Sequence, residues 1–289
     1  MNPPSPPAVR LPDGTSVPAL GLGTWRMGES ERSRAREVTA VRTALELGYR
    51  LVDTAEMYGE GGAEQVVGQA LGDSIEAGTV SREDVFVVSK VYPHNASRKG
   101  VPQACRRSLA RLRLERLDLY LLHWRGRVPL RETVEAFEEL RAEGLIARWG
   151  VSNFDMADME ELWQLPSGPQ CALNQVYYSA SERGVEFDLL PWQQDRGVPL
   201  MAYCPIDQGA LAGDPAFARI AARHDATAAQ AALAWVLRRQ GVIAIPKAQQ
   251  ARHLEENLGA CGVRLTDRDL AEVDQSFPPP SRKKPLAMT

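Results

Sequence analysis

Short runs of β-branched and other apolar residues alternate along this chain with longer stretches whose apolar positions recur at helical spacing. A turn signal at Asp13-Gly14 predicts an N-terminal hairpin. After it, strands are expected over 19–23, 50–53, 85–90, 117–123, 147–151, 172–176, 199–203 and 242–246. Helices are expected over 34–47, 63–71, 101–112, 130–141, 156–165 and 189–195, then in a longer helical region best defined at 228–239, then over 252–258. Within 130–141, Leu130, Val134, Phe137 and Leu140 fall on one face, and Gly144 stands where a C-cap is wanted. A last helix opens at Thr266, where Asp269 three residues on gives a capping-box pattern. Eight strand–helix units with no break in composition read as a parallel sheet covered by helices. The fold class is therefore α/β: a parallel (β/α)8 TIM barrel with an N-terminal β-hairpin and an extra C-terminal helix.

Composition narrows this picture without redirecting it. The 289 residues, 44% of them hydrophobic, are enough to bury the core of one such barrel. Residues 9–289 are thus read as a single domain and the proline-rich residues 1–8 as a loose tail. A formal net charge of -3 provides no basic field for nucleic acid. The start of the chain lacks the layout of a signal peptide, and the longest uncharged apolar stretch, near 226–237, is too short for a bilayer and carries Gln230. Cys105, Cys171, Cys204 and Cys261 form no CxxC pair and no metal spacing. A reduced, cytoplasmic, metal-free protein with neither nucleic-acid nor membrane partners is expected.

In a parallel barrel, reactive groups sit where strands end and βα loops begin. The second expected strand ends at Asp53, with Tyr58 five residues on; the third ends at Lys90; the fourth ends at His123. Each has an ordinary reading alone. A lysine after an apolar strand is commonly the first solvated residue, a histidine there is commonly structural, Tyr58 beside Gly59 can be loop packing, and Asp53 can cap a turn. Three successive strands aiming a carboxylate, an ammonium and an imidazole at one mouth, with a tyrosine beside them, call for a joint explanation. A free phenol has a pKa of about 10 and is a weak acid near neutrality, and a nearby ammonium is expected to lower it. Asp53 can hold Lys90 by an ion pair, and His123 can orient a carbonyl oxygen. The group suits protonation of an alkoxide as it forms on a reduced carbonyl.

Asp53, Tyr58, Lys90 and His123 in their local contexts resemble the catalytic tetrad of the aldo-keto reductases. The resemblance runs from Gly21-Leu-Gly-Thr-Trp25 to Glu256-Asn257, through Gly150-Val-Ser-Asn-Phe154, Asn174-Gln175-Val-Tyr-Tyr178, Ala202-Tyr203-Cys204-Pro205 and Ile245-Pro246-Lys247. It implies a monomeric enzyme that transfers hydride from NADPH to an aldehyde or ketone, with Tyr58 as general acid. It further implies that Ser152, Asn153 and Gln175 hold the nicotinamide carboxamide and that Tyr203 stacks on the ring. Thr24, Trp25 and Asp53 would lie near the ribose. Cys204, Pro205, Ile206 and Gln208 would run past the pyrophosphate, and Glu256 and Asn257 would contact adenine. Trp25, Tyr58, His123 and Trp124 would face the substrate. Gly21-Leu-Gly23 lacks the third glycine of a dinucleotide fingerprint, so the coenzyme expectation rests on the resemblance.

The match departs from the family at the adenosine 2′-phosphate. Lys247 offers a charge there, but Ala248 stands where serine is common and His253 where arginine is common, with Arg252 one place earlier. A one-residue shift turns a helical side chain by about 100°, so NADPH preference with looser discrimination is expected. The short basic tail (Arg282, Lys283, Lys284) suggests an open pocket accepting small aldehydes, dicarbonyls or keto-sugars. Two other readings share the fold: a coenzyme-binding sensor subunit with little turnover, and a Schiff-base aldolase acting through an uncharged Lys90.

Overall fold

The computed structural model describes residues 5–289, so the first four residues of the expected tail lie outside the described residues. The hairpin forms from β1 (Ala8–Arg10) and β2 (Ser16–Pro18), paired antiparallel. Its turn places Gly14 in the left-handed region, at φ +88°, where a side chain would be strained. Eight parallel strands follow, each hydrogen-bonded to the next in chain order. They are β3 (Leu22–Gly23), β4 (Leu51–Asp53), β5 (Phe86–Val91), β6 (Leu119–Leu122), β7 (Trp149–Ser152), β8 (Asn174–Tyr177), β9 (Leu200–Tyr203) and β10 (Val242–Ala244).

Backbone bonds join the last strand to the first. Gly21 N–H donates to the Ala244 carbonyl at 2.9 Å, Ala244 N–H to Ala19 at 2.7 Å, and Gly23 N–H to Pro246 at 3.1 Å. The stretch 19–23, expected as one strand, is divided by this seam. Its first half bridges to Ala244, and only Leu22 and Gly23 ladder with β4.

Among the described residues, ten helices cover the barrel: α1 (Glu31–Leu47), α2 (Gly62–Glu76), α3 (Gly100–Leu112), α4 (Leu130–Ala142), α5 (Met156–Trp163), α6 (Leu189–Asp195), α7 (Pro215–Arg223), α8 (Ala228–Leu237), α9 (Ala251–Gly259) and α10 (Asp267–Ser276). The long helical region before strand β10 proves to be three pieces, a 3-10 segment at Asp207–Gly213 followed by α7 and α8. Local chemistry sets the breaks. Asp214 accepts the first free N–H groups of α7 just before Pro215, and Thr227 with Gln230 forms a capping box at the start of α8.

The two-residue period of the strands sorts side chains into two layers. Leu51, Val88, Leu119, Leu121, Leu173, Met201 and Ile243 point inward and form one buried cluster, which Val9, Leu11 and Val17 of the hairpin region close at one end. Val52, Val87, Val91, Tyr120, Leu122, Val151, Val176 and Ala202 point outward and pack under the helices. Two residues beyond the inward set, at the other end of the barrel, the same parity aims Asp53, Lys90, His123, Gln175 and Tyr203 at the mouth.

Candidate active site

Lys90 sits at the centre of the mouth. Its ammonium donates three hydrogen bonds: to Asp53 Oδ2 at 2.8 Å, to the Thr54 carbonyl at 2.9 Å and to the Tyr58 hydroxyl at 3.0 Å. The ion pair with Asp53 favours the ammonium, which has no lone pair for a Schiff base, and this counts against the aldolase reading. Asp53 is fixed from its other side, where Gln175 Nε2 donates to Oδ1 at 2.7 Å. Because the Tyr58 oxygen accepts from Lys90, its own proton is free to point into the cavity, which Tyr58 lines. The His123 and Tyr58 rings meet in a T-shaped pair, with centroids 5.7 Å apart, and the buried His123 Nδ1 has no partner.

Burial dominates the acidities here. It pushes the Asp53 carboxyl up and the Lys90 ammonium down from their ordinary values, and the charge of each partner opposes both shifts. The Tyr58 phenol is raised well above its ordinary value, by burial first and by the Asp53 carboxylate second. This corrects the expectation that Lys90 lowers the phenol: the ammonium is already matched by Asp53, and desolvation of a phenolate outweighs what remains. Tyr58 thus holds its proton until negative charge develops beside it. Burial and Lys90 together hold His123 well below its ordinary value, so the ring is a neutral imidazole near neutrality.

The mouth opens into a cavity of about 550 Å³. Trp25, Asp53, Tyr58, His123, Trp124, Ser152, Asn153, Gln175, Tyr203, Cys204, Pro205, Ile206, Gln208, Lys247, Arg252, Glu256 and Asn257 line it. Three expected site residues do not. Lys90 is fully buried behind Tyr58; Thr24 is fully buried with its hydroxyl on the Asp53 carbonyl at 2.9 Å; and Ala248 is buried with only a methyl to offer. Sequence reasoning missed Arg26, Met57, Thr227, Ala228, Ala229, Met288 and Thr289, which also line the cavity, as does His253, noted from sequence only as standing in place of an arginine. A helix was expected from 228, but nothing in the sequence placed its start at the mouth. Met288 and Thr289 also correct the open-pocket expectation. The tail is held back against the barrel by Lys283 on Asp188 at 3.3 Å and by Leu286 on the core, so the segment returns to the mouth.

The polar lining is arranged for a long amphipathic ligand. Asn153, at φ +57°, donates through Nδ2 to the His123 carbonyl at 3.1 Å and accepts from the Tyr203 hydroxyl at 2.8 Å. Ser152 Oγ donates to the Gln175 carbonyl at 2.9 Å. Lys247, Arg252 and His253 gather at the far end, where Arg252 pairs with Glu256 at 2.8 Å. A phosphate-bearing coenzyme with an aromatic amide at one end fits this run of groups: cations at one extreme, the Tyr203 ring and amide side chains at the other. Cys204 also lines the cavity, and burial pushes its thiol up to about 11, which leaves little reactive thiolate near neutrality. Among the described residues no helix is long and apolar enough to cross a membrane, and no cluster of metal-ligating side chains occurs.

Comparison with known proteins points the same way. The model of the Aldo/keto reductase family matches residues 19–277. Methylglyoxal reductase YeaE of Escherichia coli (strain K12) is 50% identical over 285 residues, covering 97% of this chain and 98% of that protein. An aldo/keto reductase from Klebsiella pneumoniae, solved in complex with NADP and acetate, superposes with a TM-score of 0.93 at 47% identity, over 98% of this chain and all of that one. A second Klebsiella pneumoniae structure, in complex with NADPH, gives a TM-score of 0.92 at 47% identity over 99% of this chain and 100% of that one.

Proposed function

The chain belongs to the aldo/keto reductase family, and from that premise we propose that it is a monomeric, cytoplasmic, NADPH-dependent reductase of small reactive carbonyls, α-dicarbonyls first among them. The observation that carries this reading is the Tyr58 hydroxyl, which accepts from Lys90 and keeps its own proton at the cavity surface. The name of the methylglyoxal reductase relative supports the choice of dicarbonyls. So do the walls, where Trp25, Met57, Trp124, Ile206 and Met288 leave an apolar site over a polar floor.

Ser152, Asn153 and Gln175 would hold the nicotinamide amide, and the Tyr203 face would carry its ring. Trp25 and Asp53 would flank the ribose, with Thr24 bracing Asp53 from behind. Cys204, Pro205, Ile206 and Gln208 would follow the pyrophosphate. Lys247 and Arg252 would meet the 2′-phosphate, and Glu256 and Asn257 the adenine. When bound, NADPH supplies the hydride.

The remaining work belongs to the side chains. His123, held neutral, donates one N–H to the carbonyl oxygen and orients it between itself and Tyr58. As negative charge grows on that oxygen, the Tyr58 proton moves to it. The phenolate left behind is stabilised by the Lys90 ammonium 3.0 Å away, itself kept charged by Asp53. Preorganisation is the main contribution: the donors are in place before charge develops, beside the Trp25 and Trp124 rings that line the cavity.

The test is NADPH oxidation with a panel of aldehydes, dicarbonyls and ketones, comparing wild type with Tyr58→Phe. Turnover in wild type and a loss of about 10²–10⁴-fold in the variant, with NADPH still bound, is expected. Undiminished activity in Tyr58→Phe would mean that another group is the acid. NADPH binding without turnover of any carbonyl would favour the sensor reading.

A further inference from the structure

We propose that Glu56 is a positioning residue for carbonyl reduction, one that sets the distance between Tyr58 and Lys90 and fixes the Trp124 wall. Glu56 lies between Asp53 and Tyr58 in sequence, is 6% exposed, and does not line the cavity. It therefore acts through its neighbours, and the inference rests on the reductase reading above.

The segment that carries Tyr58 leaves β4 at Asp53 and must reach the end of β5 with the hydroxyl 3.0 Å from Lys90 Nζ. Backbone pairing holds its first part. Thr54 N–H donates to Val88 at 2.9 Å, and Glu56 N–H to the Lys90 carbonyl at 3.3 Å. There the ladder stops, and the Glu56 side chain extends it. Oε1 accepts the N–H of Tyr92 at 2.7 Å and Asn95 Nδ2 at 3.0 Å, while Oε2 faces Arg107 at 3.6 Å. One residue is thus tied by its main chain to Lys90 and by its side chain to the loop that follows Lys90. The acid and the lysine cannot separate without breaking those bonds.

The same carboxylate reaches the pocket wall. Tyr92 is held at its N–H by Glu56 and at its hydroxyl by Glu60, 3.0 Å away. Its ring meets Trp124 edge-on, with centroids 5.9 Å apart, and Trp124 lies 4.9 Å from His123 and lines the cavity. The tie runs from the strand end that carries the acid to the indole beside the imidazole.

The experiment compares full-length wild type, Glu56→Gln and Glu56→Asp, measuring NADPH affinity by fluorescence quenching and kcat and KM with methylglyoxal as probe. Glutamine keeps an oxygen that can accept from Tyr92 and is expected to hold kcat within about threefold. Aspartate keeps the charge but is a methylene too short, and is expected to lose about tenfold to a hundredfold in kcat, because small misplacements of reacting groups carry large rate penalties. NADPH affinity should be unchanged in both, since the coenzyme-lining residues are elsewhere. A role confined to stability would lower kcat and bound NADPH together, in step with folded protein, and would overturn the proposal. So would a wild-type kcat in Glu56→Asp, or a glutamine variant as impaired as the aspartate one. Either result beside an active wild type leaves the reductase reading intact. A wild type that binds NADPH and turns over no carbonyl sinks that reading and this inference with it.

Discussion

Burial and the Asp53 carboxylate raise the Tyr58 phenol above its ordinary 10.0, while burial and Lys90 hold His123 below its ordinary 6.5. The acid form of Tyr58 exists below its raised pKa, and the neutral form of His123 exists above its lowered one. Both are therefore present across the whole interval from 6.5 to 10.0. Reductive kcat, measured where hydride transfer limits, should be flat over that interval and fall only outside it, on the alkaline side as Tyr58 ionises and on the acid side as His123 takes a proton. A decline already under way near neutrality would mean that the proton comes from another group. At the other end of the cavity, Lys247→Met should weaken NADPH by about tenfold or more and NADH far less, because one charge-assisted phosphate contact is worth about 1.5–3 kcal/mol. Equal effects on the two coenzymes, measured by direct binding, would remove Lys247 from the 2′-phosphate site. The tetrad was legible because strand period and strand end are both sequence properties: Leu51 to Asp53, Val88 to Lys90 and Leu121 to His123 are two-residue steps on the inward face. The acidity of Tyr58 was not, because desolvation depends on neighbours such as Asp53 and Gln175 that only the closed barrel assembles. Glu56 stood in plain view in the same motif, but its partners, Tyr92 and Asn95, come from the next strand's loop.

Helix ends were the most legible features at the scale of elements, and one of them makes a quantitative case. Asp269, the third residue of α10, accepts from Thr266 N–H at 2.8 Å and Thr266 Oγ1 at 2.7 Å, closing the capping box expected from sequence. The same carboxylate also takes Arg223 at 2.6 Å and His224 at 2.7 Å from the end of α7, a pairing the sequence did not suggest because the partners lie more than forty residues apart. This network is remote from the cavity and has a structural task, the joining of α7 to α10. Burial works against the carboxylate, but bonds from Thr266, His224 and Arg223 hold it well below its ordinary 3.8. A carboxyl depressed in the folded state contributes its stability above the unfolded value and loses it as the pH falls through the folded one. Asp269→Asn should therefore cost about 2–3 kcal/mol at neutral pH in urea unfolding, from lost charge-assisted bonds to partners that are partly solvated. The gap between wild type and variant should stay constant down to the ordinary carboxyl value of 3.8 and close below it. A gap that is independent of pH would mean that helix capping alone, without the ion pairs, carries the effect.

The barrel as a whole was read from the count of alternating units, and its closure follows from bonds that no local pattern encodes, those between Gly21, Gly23 and the end of β10. The tail was misjudged for a related reason: composition gave its charge, but only the assembled surface offers Asp188 to Lys283 and brings Met288 back to the mouth. The hairpin completes the argument about ends. A barrel has two openings, and an uncovered lower one would expose the inward cluster of Leu51, Leu119, Leu173 and Ile243 to water. Val9, Leu11 and Val17 join that cluster, each less than a tenth exposed, and so act as its floor. The mouth, with Tyr58 and the cavity, lies at the opposite ends of the same strands. Stability and ligand binding should therefore separate along the barrel axis. Leu11→Ala removes a side chain that is 2% exposed, and should lower unfolding stability by about 2–5 kcal/mol at an unchanged denaturant slope. NADPH affinity per folded molecule, measured well below the unfolding transition, should not change. If affinity falls while the protein remains folded, packing at the floor is transmitted through Leu51, Val88 and Leu121 to Asp53, Lys90 and His123 above them. The barrel interior would then be one cooperative layer stack rather than a floor and a mouth that vary independently.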